Sequence, residues 1–257
     1  MTVLAHTWYM TLRQIRALLR QPWWIAISLV QPIIWLLLFG ALFRRIIELP
    51  GFESTSYITF LTPGIIVMSA MFSGGWSGMG LLQDMDRGVV DRFLVTPVRR
   101  TPIMVGPLLQ QALVSATQSV ILVLLALALG ADYPGGALGV VILIVSAALL
   151  SIAFGSLSNA LALLVRREET LIAAVNFTLL PLTFLSSAFL QLSLAPGWIQ
   201  TVARYNPTDW TIQIGRTALS ADPDWSLVLS RGAFLIAFAV VATWLSLRAI
   251  RVYQKSV

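Results

Sequence analysis

Few residues in this chain have usable chemistry, and the most compact group of them is one charged run between two apolar stretches, Asp84 to Arg100, DMDRGVVDRFLVTPVRR. Val89, Val90, Phe93 and Leu94 form an apolar stripe at helical spacings of three and four, with Asp86, Asp91 and Arg92 mostly off it. Gly88 loosens the entry, and Thr96 before Pro97 is pushed out of helical geometry. The chemistry is that of docking rather than bond-making. A short amphipathic helix over 84–97 covers its stripe either in a protein groove or on a lipid surface, and the residues alone leave both open.

Groups that could make or break bonds are scarce. The sole histidine, His6, falls in an N-terminal helical pattern, where it reads as an interfacial structural residue. Asp84, Asp86, Glu168 and Glu169 could be imagined as a metal site, but each lies near arginine and reads better as loop charge balance. Cysteine is absent, which excludes disulfides, thiolate catalysis and cysteine-ligated metals. No G-x-x-x-x-G-K-[ST] phosphate loop occurs, and the one lysine, Lys255, follows no strand-to-helix glycine turn. The expectation is no catalytic residue, no metal and no cofactor bound by this chain. If ATP drives the protein, a partner holds it.

The elements that must present such a segment are membrane helices. Of 257 residues, 58% are hydrophobic and only 11% charged, against about 25% charged in soluble domains. The mean hydropathy is +0.84. Six stretches reach the roughly 20 apolar residues a bilayer core demands: 23–43, 57–82, 103–129, 137–165, 171–190 and 227–247. They contain no Lys, His, Asp or Glu, and Arg231 stands only at the margin of the last. The fold expected is all-α, integral to the membrane, one domain with six transmembrane helices. The net charge of +6 is spread beside these stretches rather than gathered in one patch, which favours anionic lipid headgroups and argues against nucleic acid.

Arginine placement sets the expected orientation. With a cytosolic N-terminus, Arg13, Arg16, Arg20, Arg87, Arg92, Arg99, Arg100, Arg166, Arg167, Arg248, Arg251 and Lys255 lie inside. Arg44, Arg45, Arg204, Arg216 and Arg231 remain outside, so the positive-inside rule puts both termini in the cytosol. Residues 1–22 place Leu4, Trp8, Leu12, Ile15 and Leu19 on one face and arginines on another. That fits an amphipathic interfacial helix rather than a cleavable signal, with a plain extension of the first span as the alternative. Pro32, Pro63 and Pro181 each interrupt a span and can kink it.

The segment 191–222 is too polar to cross and too apolar to float free, and Trp198, Tyr205, Trp210 and the adjoining Trp225 suit an interface. Pro196 fits a first helical turn. Asn206 as N-cap with Pro207 at the first position starts a second helix running toward Leu219. A simple extracellular loop with trapped aromatics is the alternative.

Two motifs then carry a family resemblance. The run from Gly88 through Asp91, Arg92, Phe93, Leu94, Thr96 and Pro97 to Arg100 resembles the cytoplasmic-loop motif of ABC-2 type permeases, membrane subunits of bacterial exporters such as the daunorubicin-resistance and nodulation-factor transporters. Pro196-Gly-Trp198-Ile-Gln, then Asn206-Pro207 and Arg216, is similar to the pattern those permeases carry before their last span. The resemblance covers nearly the whole chain in length, span count and loop placement. It implies a half-transporter in a bacterial plasma membrane. Two permeases, identical or different, would meet in the membrane, each resting on a separate ATPase subunit that binds ATP and Mg. Gly88 to Pro97 would be the coupling helix and Pro196 to Leu219 the extracellular re-entrant helices.

Substrate contacts are drawn from adaptable and hydrogen-bonding residues inside the spans: Gln31, Met68, Met71, Phe72, Asn159, Asn176 and Thr178. For the amides, helix-to-helix bonding is an equal reading. An apolar path suits an amphiphile such as a drug, a lipid-linked molecule or a glycolipid. The rival from another class is an ion-coupled secondary transporter, which would keep ionisable residues at mid-membrane, where the six stretches have none.

Overall fold

A computed structural model describes residues 22–45, 56–88 and 101–253. The expected interfacial helix before Pro22 and most of the expected coupling helix, beyond Gly88, lie outside these described residues. Within them every regular element is helical. In chain order these are α1 (Pro22–Leu42), α2 (Tyr57–Gly75), α3 (Ser77–Asp86), α4 (Thr101–Ala128), α5 (Gly136–Val165) and α6 (Glu168–Phe184). A 3-10 turn at Leu192–Leu194 leads into α7 (Gly197–Ala203), α8 (Pro207–Leu219) and α9 (Trp225–Tyr253).

Among the described residues, four stretches are long and apolar enough to cross a membrane: Tyr57–Asp86, Gly106–Ala128, Gly136–Val165 and Trp225–Tyr253. The first expected span is present as α1, with a shorter apolar core at Ala26–Leu42. The fifth departs most from expectation, because α6 stops at Phe184 rather than reaching Leu190. Pro181 lies in its last turn, and the chain beyond Leu185 turns instead of continuing. Prolines sit inside α1 (Pro32), α2 (Pro63), α4 (Pro107) and α6 (Pro181). Next to Pro63, the Thr62 hydroxyl donates to Ile58 O at 2.6 Å, a back-bond of the kind that favours a bend where the proline already removes one rung of the ladder.

Helices α2 and α3 form one nearly continuous rod with a break at Trp76. The rod ends at Gly88, whose φ of +66° is the left-handed conformation that glycine adopts freely, and its N–H bonds Met85 O at 2.9 Å. Asp84 and Asp86, the first residues of the expected coupling helix, therefore belong to the end of α3. Gly88 ends that helix.

Helix α5 runs through the centre and packs against α2, α3, α4, α8 and α9. Lipid and protein interior are equally apolar, so close approach rather than water exclusion holds such helices together. Small residues make that approach possible here: Gly74 meets the backbone of Ser151, and a Cβ on Gly78 would stand 2.6 Å from Ser158 O. Side-chain hydrogen bonds reinforce the contact. Ser158 Oγ accepts from Gly78 N–H at 3.1 Å and donates to Gly75 O, while Ser77 Oγ donates to Asn159 Oδ1 at 3.1 Å. The outward faces of α1, α6 and α9 remain apolar, with Trp23, Phe177, Val240 and Trp244 exposed.

A polar seam along α4 is less complete. Gln111 reaches Ser73 of α2, and Gln118 Nε2 donates to Ser28 Oγ of α1 at 2.7 Å. Between them the Ser115 hydroxyl, and at the end the Gln118 Oε1, are buried without hydrogen-bond partners. Ser115→Ala is therefore expected to raise the thermal unfolding midpoint in detergent, since it removes about 1 kcal/mol of unmet polarity. A lowered midpoint would show that the hydroxyl is bonded in the membrane.

Candidate functional site

The segment between α6 and α9 forms the most elaborate polar arrangement in the described residues. Pro196 sits at the N-cap of α7 and is exposed, and Trp198 is exposed on α7. Asn206 caps α8 as the Asn-Pro pair predicts: its Oδ1 accepts from Thr208 N–H at 2.9 Å, with Pro207 in the first turn, where a missing N–H costs nothing. The same side chain has a second task that spacing does not reveal. Its Nδ2 donates to Leu182 O at 2.7 Å and Leu185 O at 2.9 Å, satisfying carbonyls left free where α6 ends. One asparagine thus closes one helix and opens another.

Helix α8 is packed into the bundle against α5, α9 and α2. Thr208, Asp209 and Thr211 are fully buried, and Thr208 Oγ1 contacts Met71 Sδ at 3.1 Å. Gly135, which caps α5, and Gly139 within it press against the backbone of Ala218 and Leu219, while Gly215 of α8 faces Leu143. Arg216 is half-buried beneath these contacts. Its guanidinium lies 3.6 Å from the centre of the Phe60 ring, its Nε donates to Phe60 O at 3.3 Å, and its Nη2 donates to Ser187 O at 2.5 Å.

Asp209 was missed by the sequence reading, and it corrects one inference. The six apolar stretches hold no carboxylate, yet the packed interior does, because α8 brings one in from a segment of ordinary polarity. Asp209 Oδ1 accepts from Ser187 N–H at 2.8 Å, and Oδ2 accepts from Gln213 Nε2. The charge of Arg216 is near enough to attract it. The only signal was its place, three residues beyond the capping Asn206, on the turn that α8 buries.

Of the coupling residues, Gly88 ends α3, while Asp91, Arg92, Phe93, Leu94, Thr96 and Pro97 lie outside the described residues. The seven path residues do not converge. Gln31 and Thr178 are exposed, Met68 and Met71 sit in the core, and Phe72 packs against that core. Asn159 is buried against Ser77, and Asn176 donates to Ile172 O of its own helix at 3.0 Å. Met71 touches the polar arrangement of α8 through Thr208.

The same arrangement can be placed among known proteins. A daunorubicin resistance ABC transporter permease of Streptomyces coeruleorubidus is 31% identical over 242 residues, covering 91% of this chain and 81% of that protein. A protein described as the transport permease ycf38 in Porphyra purpurea is 29% identical over 212 residues, 82% of this chain and 72% of its own. Its counterpart in Cyanophora paradoxa is 31% identical over 196 residues, 76% of this chain and 67% of its own. The ABC-2 type transporter family matches residues 5–219, which include α1 to α8 with the Asn206 cap and the Asp209–Arg216 pair. This multi-pass helical chain belongs to the ABC-2 type transporter family and is an ABC transporter permease.

Proposed function

We propose that this chain is one half of an ATP-driven exporter for an amphiphilic or hydrophobic molecule such as a drug, a lipid-linked compound or a glycolipid. The observation that carries this reading is the similarity, over nine-tenths of the chain, to a permease named for daunorubicin resistance, an amphiphilic drug. ATP and Mg bind a separate ATPase subunit, since no phosphate loop occurs in these 257 residues. Two permeases, as a homodimer or heterodimer, meet in a bacterial plasma membrane. Each has six transmembrane helices, with α1 and α6 joining the four long spans and both termini in the cytosol.

Closure of the ATPase dimer pushes the segment Gly88 to Pro97 of each permease and rocks the bundle between inward and outward openings. Phe93 and Leu94 fill the ATPase groove, while Asp91 and Arg92 orient the segment through ion pairs worth about 1 kcal/mol or less. Pro196 to Leu219 forms the re-entrant outer part, and Gln31, Met68, Met71, Phe72, Asn159, Asn176 and Thr178 contribute to the path as the helices move.

The test uses the chain co-expressed with an ABC ATPase subunit that co-purifies with it, in inverted vesicles supplied with daunorubicin. ATP-dependent uptake is expected. Transport without ATP, or an ATPase that hydrolyses equally well without the permease, would overturn the reading. Phe93→Asp is expected to abolish uptake while leaving the permease folded and ATP hydrolysis running. Unchanged uptake by a normally expressed variant removes Phe93 from the docking contact.

A further inference from the structure

We propose that Asp209 is a positioning residue that makes the outer end of α6 and helix α8 a single moving unit, so that motion of α6 is delivered to α8. The consequence for transport rests on the permease reading above, but the clamp itself does not.

Beyond Phe184 the chain leaves helical geometry with Ser186, Ser187 and Ala188 buried, so the backbone there needs partners that water does not supply. Those partners come mainly from α8 and its cap. Asn206 takes Leu182 O and Leu185 O. The Ser187 residue is held on both sides: Asp209 accepts from its N–H at 2.8 Å, and Arg216 donates to its carbonyl. Asp209 and Arg216 stand seven residues apart, two turns along one face of α8. The long arginine stem reaches back toward the aspartate, as side chains on a helix do. From the other side Tyr57 OH donates to Phe189 O at 3.0 Å, and a Cβ on Gly64 would stand 2.5 Å from Ala188 O. Residues 185–189 are therefore pressed onto α2 and bonded to α8.

Asp209 is the costly member of this set. A fully buried carboxylate carries a desolvation penalty that a neutral acceptor avoids, and a single amide does not require it. Its planar head group meets Ser187 with Oδ1 and Gln213 with Oδ2, so its plane is fixed from two sides, a contact that an amide of the same shape can reproduce. That is a device for holding a direction. With it, α6 cannot tilt without drawing α8 along.

The chain has no cysteine, so a spin-label pair can be placed without background substitutions. Phe184→Cys and Tyr205→Cys, exposed at 63% and 78%, mark the end of α6 and the approach to α8. In the full chain in nanodiscs, the Phe184–Tyr205 distance distribution is expected to be narrow, to broaden in Asp209→Ala, and to narrow again in Asp209→Asn. The asparagine keeps the acceptor for Ser187, and Gln213 can turn its amide to meet it. A distribution as narrow in Asp209→Ala as in the parent overturns the clamp, whether or not the protein is ATP-driven.

Should Asp209→Ala fail to fold, the parent pair decides. In the assembled complex the distance is expected to be the same without nucleotide and with ATP trapped, and a change between those states overturns the single unit. Export by Asp209→Ala is expected to fall about tenfold, the effect of one unmet buried amide, with Asp209→Asn restoring most of it. Full export alongside a broadened distance refutes the positioning role while leaving the permease reading intact.

Discussion

Asn206→Ala is expected to cost about 3 kcal/mol, because it leaves the capped Thr208 N–H and the carbonyls of Leu182 and Leu185 without partners, three bonds at about 1 kcal/mol each. Such a loss is a large part of the net stability of many proteins, so much more of the variant than of the parent should run as aggregate in detergent size-exclusion chromatography. The informative comparison is Asn206→Asp. Aspartate caps helices as well as asparagine does, and Thr208 N–H would keep its acceptor. It has no donor, however, for Leu182 O and Leu185 O, and sets a negative charge against both. Asn206→Asp should therefore be at least as damaging as alanine. A variant as stable as the parent would show that the end of α6 does not depend on this side chain.

Two glycine substitutions should move stability in opposite directions. Gly139→Ala places a Cβ well inside contact distance of Ala218 O and 3.2 Å from Leu219 Cα, so α5 and α8 must separate. The helix propensity gained, about 1 kcal/mol, is outweighed by overpacking against backbone that cannot rotate away, for a net loss of about 2 kcal/mol. Gly232→Ala, in α9, meets nothing within 4 Å and should gain about 0.5 to 1 kcal/mol from propensity alone. Thermal unfolding of the two variants side by side checks both signs. Equal midpoints would mean that the contact of α5 with α8 is looser than described.

What could be read from the residues divides along physical lines. The start of α8 was legible because Asn-Pro is local chemistry, decided by the backbone within three residues. The long apolar helices were legible from length and hydropathy, which depend on composition alone. The early end of α6 was not, since residues 185–190 are as apolar as the span before them, and only the partners waiting at Asn206, Asp209 and Arg216 favour the turn. Nor could inward faces be assigned to the candidate path residues. In a soluble helix the polar side marks the outside, but here lipid and core are alike, and no stripe separates Thr178, which is exposed, from Met71, which is buried. Asp209 escaped for the opposite reason: a charged residue in a segment of ordinary polarity looks solvated until tertiary packing encloses it.

The central place of α5 has a consequence for how the protein is made. Synthesis delivers α1 to α4 before the helix that most of them pack against, and α8 and α9 only later. The early helices enter the bilayer with their tight glycine faces unmatched and must wait there, side by side, until residue 165 has emerged. Even then α5 stays uncovered on one flank, because α9 is its largest neighbour and arrives last. A nascent chain halted before Trp225 would present that flank, rich in small residues, to any other helix in the membrane. Quality control for this permease therefore falls on residues 225–253, and a proteolytic survey of ribosome-stalled chains should find protection rising in one step as α9 is released.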